Sequence, residues 1–338
     1  MAGPGPRNDL TDVAGLRVGQ AEDESVRTGV TVVLCDAPAT ASVDVRGGGP
    51  GTRETDLLGP GALVEQVDAI ALSGGSVYGL AAADGVCAGL GAQGRGYGLM
   101  DLPGVPKSPI VPGAILYDLA NGGAKDWGEA PPYRALGLAA LADAGHGAPV
   151  RLGRAGAGYG ARAGALAGGT GSASYVTDDA ITVAALACVN SFGSVQMPGS
   201  EAYWAWPFEI DGEFGGARPD SARAINAEDW GAAKMDPRLL ANTTLCVVAT
   251  DAALTKDQAR RLAVMAQDGL ARAIRPAHAP FDGDVVFALS TGARALPDPA
   301  PVSLTRLGSI AADCLARAIA RGVHAAQGPG QGPGPGQG

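Results

Sequence analysis

Charged side chains are scarce in this chain. Asp, Glu, Lys and Arg make up 17% of its 338 residues, whereas apolar residues make up 46%. With so few charges, much of the surface must be hidden in a core or between subunits. The charges present sum to −9, which argues against nucleic acid or an anionic membrane as a partner. A chain of this length can form one large or two ordinary domains with a substantial core.

Long apolar runs are also missing. No stretch approaches the roughly 20 consecutive apolar residues that a membrane-spanning helix needs. Residues Met1–Asp9 lack the apolar stretch of a secretory signal. We therefore expect a cytoplasmic protein without a membrane partner.

Histidine and cysteine are few and form no motif for catalysis or metal binding. None of the three histidines lies beside a serine or cysteine in a known triad motif. The five cysteines have no C-x-x-C pair and no histidine at metal-ligand spacing: they are Cys35, Cys87, Cys188, Cys246 and Cys314. We predict buried small hydrophobic residues, and neither a metal nor a cofactor. A catalytic thiol at Cys246 is the alternative, and a mid-strand position would leave it inert.

What is present is an Asn-Thr pair directly before a β-branched apolar run, in Ala-Asn-Thr-Thr-Leu-Cys-Val-Val-Ala-Thr-Asp (241–251). A threonine hydroxyl is a poor nucleophile at neutral pH and needs a base. Cleavage between Asn242 and Thr243 would supply one, because the freed α-amine has an ordinary pKa of about 7.7–8.0 and can accept the hydroxyl proton. Chemistry alone leaves a second interpretation open, a buried strand entered through a polar turn.

Six patterns, of which the Asn-Thr segment is one, occur along the chain in a fixed order: 72–80, 153–158, 168–174, 189–195, 242–251 and 275–289. Together they resemble the DmpA-like and BapA-like β-aminopeptidases, with the nylon-oligomer hydrolases as a close branch. The resemblance runs from about Leu10 to about His324. It implies self-cleavage before Thr243, into fragments 1–242 and 243–338.

Short β-branched runs that end in turn residues predict strands, and apolar residues at helical spacing predict helices. The predicted strands are Val30–Cys35, Ala41–Val45, Ile181–Val189, Thr244–Thr250 and Val285–Ser290. The predicted helices are Ser76–Leu90, Lys256–Ala273 and Leu307–Val323. This alternation indicates a layered α/β architecture. The resemblance implies a four-layer αββα sandwich of the DmpA type, similar to the Ntn-hydrolases in layout, as a single catalytic domain over 1–324. The Gly/Pro/Gln tail at 325–338 is predicted to be disordered.

The resemblance also implies roles for individual residues. Asn190, in Val-Asn-Ser-Phe-Gly-Ser-Val, matches an asparagine whose amide donates to the developing oxyanion, and Tyr117 matches a tyrosine near the same site. Asp282 and Asp284, in Asp-Gly-Asp, match positions in contact with the nucleophile. From the residues alone, Asn190 can equally close a strand end, Tyr117 can be a core aromatic residue with a polar tip, and Asp-Gly-Asp can be a turn. A calcium loop is disfavoured because its glutamate at position 12 is missing.

The segment 72–80 resembles a loop-to-helix element that lines the active site, which implies that Ser76 and Tyr78 face the substrate. Its glycines lack the partners of a phosphate-binding loop. One departure concerns charge. Many relatives carry a lysine close to the nucleophile in the segment after Gly-Ala-Gly, where this chain has Ala165 and Ala167; Arg162 is the nearest candidate to compensate.

The predicted function is an N-terminal-threonine hydrolase that acts on small peptides or amides with a free amine. Substrates with β-amino acids, D-amino acid amides, ordinary dipeptides and nylon oligomers all remain open. The resemblance also implies a homo-oligomer, a tetramer of cleaved protomers. Two alternatives remain: a degenerate relative that serves as a binding or encapsulated protein, and an acyltransferase of the ornithine acetyltransferase type, whose Met-Ala-Thr cleavage context is absent.

Overall fold

The computed structural model describes residues 2–98, 100, 102–220, 226–234 and 242–328. Its described strands are β1 (Leu16–Asp23), β2 (Thr28–Val45), β3 (Gly51–Arg53), β4 (Gln66–Ser73), β5 (Gly113–Ile115), β6 (Arg162–Ala163), β7 (Leu166–Ala167), β8 (Gly169–Val176), β9 (Thr182–Asn190), β10 (Thr243–Ala252) and β11 (Val285–Arg294). Its described α-helices are α1 (Ala81–Ala92), α2 (Tyr133–Ala144), α3 (Lys256–Ala273) and α4 (Ala300–Ala326).

Strand β2 connects two halves of one sheet, in the order β3-β5-β4-β2-β11-β10-β9-β8, with β1 also paired to β2. Its first half pairs with β1 and β4, and its second half pairs with β11. The pairing register with β4 shifts between Leu34 and Ala39, where residues 36–38 are exposed. This irregularity lets one long strand serve both halves. The two predicted strands at Val30–Cys35 and Ala41–Val45 are therefore parts of the same strand.

The two halves of the sheet and the helices pack against one another through three apolar layers. Helices α3 and α4 cover one half, and α1 and α2 cover the other. The third layer lies between the halves and contains alternate residues of β4, β9, β10 and β11. In β10, Leu245 and Val247 face this middle layer, while Cys246 and Val248 face the helices, as the period of two in a strand requires. The arrangement confirms the predicted αββα sandwich.

Glycines allow helix α4 to lie directly on strand β8. A Cβ added at Gly169 or Gly171 would overlap backbone atoms of Ala318 or Gly322. Because of these glycines the segment lacks the β-branched pattern of a strand, yet it forms Gly169–Val176. The many glycines thus serve close backbone packing, as the composition suggests.

The helices agree with the sequence in part. Helix α3 has the predicted bounds, and a capping box formed by Thr255 and Gln258 fixes its start. The predicted helix Ser76–Leu90 is divided: residues Ser76–Leu80 form a 3₁₀ turn, and α1 begins only at Ala81. The cause is the left-handed backbone of Gly75 and Ser76, with φ of 84° and 52°.

Helix α4 ends at Ala326, so the prediction of a disordered tail from residue 325 is wrong at its first two residues; residues 329–338 of that tail lie outside the described residues. Four of the five cysteines are buried, and Cys87 is half-buried. Within the described ranges, no helix combines the length and the apolar character needed to cross a membrane.

Candidate active site

Thr243 and Asn190 are neighbours across two antiparallel strands. Strand β10 begins at Thr243 and β9 ends at Asn190, and the two residues are directly paired. Thr243 is two residues from Leu245 in β10, and Asn190 is two residues from Cys188 in β9; Leu245 and Cys188 both face the middle layer. Because side chains alternate along a strand, Thr243 and Asn190 face the same layer. Thr243 and Asn190 are 3% exposed. The buried hydroxyl of Thr243 and the buried amide of Asn190 therefore lie side by side, where β10 begins and β9 ends.

The carbonyl oxygen of Asn242 lies between two donors. The amide nitrogen of Gly283 donates to it at 3.0 Å, and the hydroxyl of Thr243 donates to it from the same peptide unit. The side-chain amide of Asn242 is buried, and among the described residues neither its oxygen nor its nitrogen has a hydrogen-bond partner. An unpartnered buried polar group costs about 1–3 kcal/mol. The peptide bond between Asn242 and Thr243 is thus polarised. The Asn242 side chain beside it would be more stable in contact with solvent.

Both carboxylates of the Asp-Gly-Asp turn are buried and bound by backbone amides. Asp284 accepts from Thr244 at 2.8 Å and from the backbone of His278 at 3.1 Å. The ring Nδ1 of His278 lies 2.9 Å from the same carboxylate. Asp282 accepts from Ala279 at 3.0 Å and Phe192 at 3.4 Å. Burial, and next the charge of Asp284, raise the pKa of Asp282 to about 7.

Among the described residues, Tyr117, Arg162 and Lys234 contact the side chain of Asn190. Its Nδ2 donates to the carbonyl of Tyr117 at 3.0 Å, and its Oδ1 accepts from the backbone amide of Arg162 at 2.9 Å. Lys234 Nζ lies 3.3 Å from the same Oδ1 and 3.2 Å from the carbonyl of Asn190. Tyr117 is brought to the site through its backbone, and its side chain is half-buried.

The predicted substrate residues Ser76 and Tyr78 lie in the 3₁₀ turn that follows β4. The amide of Ser76 donates to the carbonyl of Leu116 at 3.0 Å, which places the turn beside Tyr117. Tyr78 is 47% exposed and packs edge-on against Trp127. Within the described residues, no hydrogen bond joins Ser76 or Tyr78 to Thr243.

A buried carboxylate fixes this turn. Asp118 accepts from Gly75 at 2.7 Å and from the hydroxyl of Thr28 at 2.6 Å. Burial raises the pKa of Asp118 to about 6, against these two hydrogen bonds. Because Asp118 follows Tyr117 directly, the same strand end holds both the turn and the partner of Asn190.

Sequence reasoning missed several residues of this site. Residues Gly47–Gly49 wrap around the Asp-Gly-Asp turn, and Gly49 donates to the carbonyl of Asp282 at 2.7 Å. A Cβ at Gly47 would overlap that carbonyl. The run of three glycines is the signal that could have revealed this contact. Lys234 and His278 have no local signal, because each reaches the site through tertiary contacts.

The family to which the chain belongs follows from comparison with known proteins. The model of peptidase family S58 matches residues 8–332. The chain belongs to peptidase family S58. It is 47% identical to an uncharacterised aminopeptidase of Mycobacterium tuberculosis over 95% of this chain and 94% of that protein. It is 29% identical to a 6-aminohexanoate-oligomer endohydrolase of Agromyces sp., over 93% and 91%.

Two solved structures are similar to this S58 chain. A Burkholderia sp. β-aminopeptidase has a TM-score of 0.67 at 25% identity, covering 95% of this chain and 88% of that one. The L-aminopeptidase D-Ala-esterase/amidase of Ochrobactrum anthropi, a variant of the Ntn-hydrolase fold, has a TM-score of 0.65 at 21% identity over 96% and 88%. These findings confirm the predicted resemblance, the fold and an aminopeptidase or amidase class over the binding-protein alternative.

Proposed function

We propose that this S58 chain cuts itself between Asn242 and Thr243 and then hydrolyses small amides with Thr243 as its N-terminal nucleophile. The observation that carries the proposal is the 3.0 Å contact from the Gly283 amide to the Asn242 carbonyl oxygen, with the Thr243 hydroxyl on the same carbonyl. A nucleophile and an oxyanion donor thereby face one peptide bond.

In the first reaction, Thr243 Oγ1 attacks the carbonyl carbon of Asn242. The oxygen that gains negative charge is the one bound by the Gly283 amide, so a preorganised donor meets the charge where it develops. The bond from carbon to the Thr243 nitrogen then breaks, and that nitrogen takes up the proton that Oγ1 lost on attack. Water hydrolyses the resulting ester and leaves a free α-amine on Thr243. Release of the buried Asn242 side chain favours this direction.

In the second reaction, the neutral α-amine accepts the proton of the Thr243 hydroxyl as Oγ1 attacks a substrate amide. The amine passes that proton to the leaving amine, and an acyl-enzyme forms on Oγ1. Water attacks this ester, which releases the acid and restores Thr243. No metal or cofactor takes part in these steps.

The surrounding residues divide the remaining tasks. Asn190 and Tyr117 stabilise the substrate oxyanion. An amide nitrogen carries two hydrogens, and we assign Nδ2 of Asn190 to the substrate oxyanion. Asp282 and Asp284 place negative charge beside the new ammonium group. Ser76 and Tyr78 line the substrate side, because their turn adjoins Tyr117.

The proposed substrates are small peptides or amides with a free amine. The relatives indicate three kinds: β-aminoacyl compounds, oligomers of 6-aminohexanoate, and L-aminoacyl or D-alanyl amides. We further propose a cytoplasmic homo-oligomer, a tetramer of cleaved protomers. Exposed apolar side chains support an interface: Val77, Met100, Leu102 and Val105 are each at least half exposed in the single chain.

The test combines processing with activity. Freshly purified protein is separated on a denaturing gel, and the masses of its chains are measured by mass spectrometry. We expect fragments 1–242 and 243–338. The cleaved protein is then assayed with p-nitroanilides of L-alanine, D-alanine and β-alanine and with a 6-aminohexanoate dimer. Cleavage at another bond, or a cleaved protein that turns over none of the panel, contradicts the proposal.

A further inference from the structure

Lys234 is a buried cation that the main chain holds against the end of β9. Its side chain and backbone together are 6% exposed. Its amide donates to the carbonyl of Phe192 at 2.9 Å, and nearby Ala232 accepts from Ala165 at 2.7 Å. These two contacts join residues 232–234, which precede the proposed cut, to Phe192 just after Asn190 and to Ala165. These two contacts determine where Lys234 lies.

The amine of Lys234 binds the two oxygens of Asn190 at hydrogen-bond distance. Together with the Arg162 amide, it gives the side-chain Oδ1 two donors. An amide whose oxygen is held by two donors cannot exchange its oxygen and nitrogen positions without losing both bonds. Its Nδ2 is thereby kept toward the Tyr117 carbonyl, on the side of the amide opposite to Lys234.

Charge adds to this geometric effect. A positive group on Oδ1 draws electron density through the amide and makes its N–H bonds stronger donors. Among the described residues, the charged groups that act on Lys234 are the carboxylate of Asp282 and the guanidinium of Arg162. Burial is the main cause that lowers the pKa of Lys234 to about 7; Asp282 opposes the shift and Arg162 adds to it.

A second buried lysine shows what a purely structural role looks like. Lys256 is 8% exposed, and its Nζ binds the carbonyl oxygens of Leu57, Ala62 and Val64 at 2.8, 3.4 and 2.8 Å. All three are main-chain groups of one loop. Lys234 differs because one of its partners is the side-chain amide to which we assign the oxyanion.

We propose that Lys234 is a positioning residue for Asn190, which orients the oxyanion-binding amide through its Oδ1 and, in its protonated form, polarises it. The inference rests on the proposed function, since it concerns the same oxyanion. It assigns to this chain a catalytic-site lysine that comes from the stretch before the cut.

The test is a double-mutant cycle between Lys234→Met and Asn190→Ala, with kcat and KM measured on the p-nitroanilide that the wild type hydrolyses best. Lys234→Met should lower kcat by about tenfold or more, which is less than the about 10²–10³ expected for loss of the donor itself. KM should change by less than about twofold, because a group that acts on the transition state leaves ground-state binding unchanged. In the Asn190→Ala background the same substitution should have almost no effect on kcat.

Lys256→Met is the matched control, because it removes a buried amine from a main-chain site. It should lower the melting temperature and leave kcat unchanged. Lys234→Gln is the second variant if Lys234→Met does not fold by circular dichroism; it keeps a donor and loses the charge, so a loss of kcat that is no larger than that of Lys234→Met is expected.

Three results overturn the assignment. The first is a cleaved Lys234 variant with wild-type kcat. The second is an equal loss of kcat with and without Asn190, which would indicate a structural role. The third is a wild type that stays uncut and inactive, which overturns the proposed function and the role of Lys234 with it. An active wild type with an unaffected Lys234 variant overturns only the latter.

Discussion

The amide nitrogen of Gly283 lies 3.0 Å from the carbonyl oxygen of Asn242, and a Cβ at Gly283 would lie 2.5 Å from Thr243 Oγ1. One residue thus supplies a donor to the carbonyl and leaves room for the nucleophile. This gives a physical reason for glycine between Asp282 and Asp284. Each carboxylate holds a neighbouring backbone segment, and the glycine brings the main chain close to the Asn242-Thr243 peptide.

Gly283→Ala should slow self-cleavage by on the order of 100-fold, because the added methyl group displaces Oγ1 by about an ångström from its line of attack. The measurement is the fraction of uncut chain against time after synthesis, by intact mass. Gly91→Ala is the control, since a Cβ there meets nothing closer than 3.8 Å. Equal cleavage rates for the two variants would contradict the role given to Gly283.

Thr243→Ala should abolish cleavage and leave one chain of 33.5 kDa, because the attacking oxygen is gone. Thr243→Ser and Thr243→Cys should still cut, since each keeps a nucleophile at the same atom position. Denaturing gels and intact mass distinguish the outcomes. Efficient processing of Thr243→Ala would exclude the acyl shift.

The strands that carry the site could be predicted because their signals are local. The β-branched runs at 181–189, 244–250 and 285–290 predicted β9, β10 and β11, and their alternation fixes which residues face the middle layer. The pairing of Asn190 with Thr243 follows once these strands are adjacent. That adjacency is a tertiary property, and the local patterns do not predict it.

The parts that could not be predicted depend on contacts between distant segments. Strand β8 is rich in glycine because α4 packs on its backbone, so it carries no β-branched signal. The sequence shows that a lysine is absent at Ala165 and Ala167, and it does not show that Lys234 reaches Asn190 from a later loop. The sequence predicts a helix from Ser76, because the left-handed backbone of this turn does not change the spacing of the apolar residues.

Asn190→Ala should lower kcat by about 10²–10³, with little change in KM, if its amide binds the oxyanion in the transition state. The same change removes the acceptor for the Arg162 amide and the donor to Tyr117, so a lower melting temperature is also expected. Steady-state assays on cleaved protein separate the two effects. A cleaved Asn190→Ala protein with wild-type kcat would show that another group binds the oxyanion.

Cleaved protein should behave as a homo-oligomer in light scattering at micromolar concentration, because the exposed apolar side chains of Val77, Met100, Leu102 and Val105 need cover. Replacing Leu102 and Val105 with lysine should shift the mass toward a smaller species, as buried unpaired charges oppose association. A single species of 33.5 kDa in the wild type would rule out the assembly.

The pH dependence of stability should report on Asp282, and it is measured best in the uncut Thr243→Ala chain. In the folded state the pKa of Asp282 is raised from 3.8 to about 7, so between these values the unfolded chain releases a proton that the folded chain keeps. The contribution of Asp282 to stability is therefore full below pH 3.8 and falls as pH rises toward 7, by up to about 1.4 kcal/mol per unit. Asp282→Asn cannot ionise, so its melting temperature relative to the parent should increase from pH 5 to pH 8. Glu129→Gln, at an exposed carboxylate, is the control and should show no such trend. A constant difference between Asp282→Asn and its parent across this range would mean that Asp282 is already ionised at pH 5.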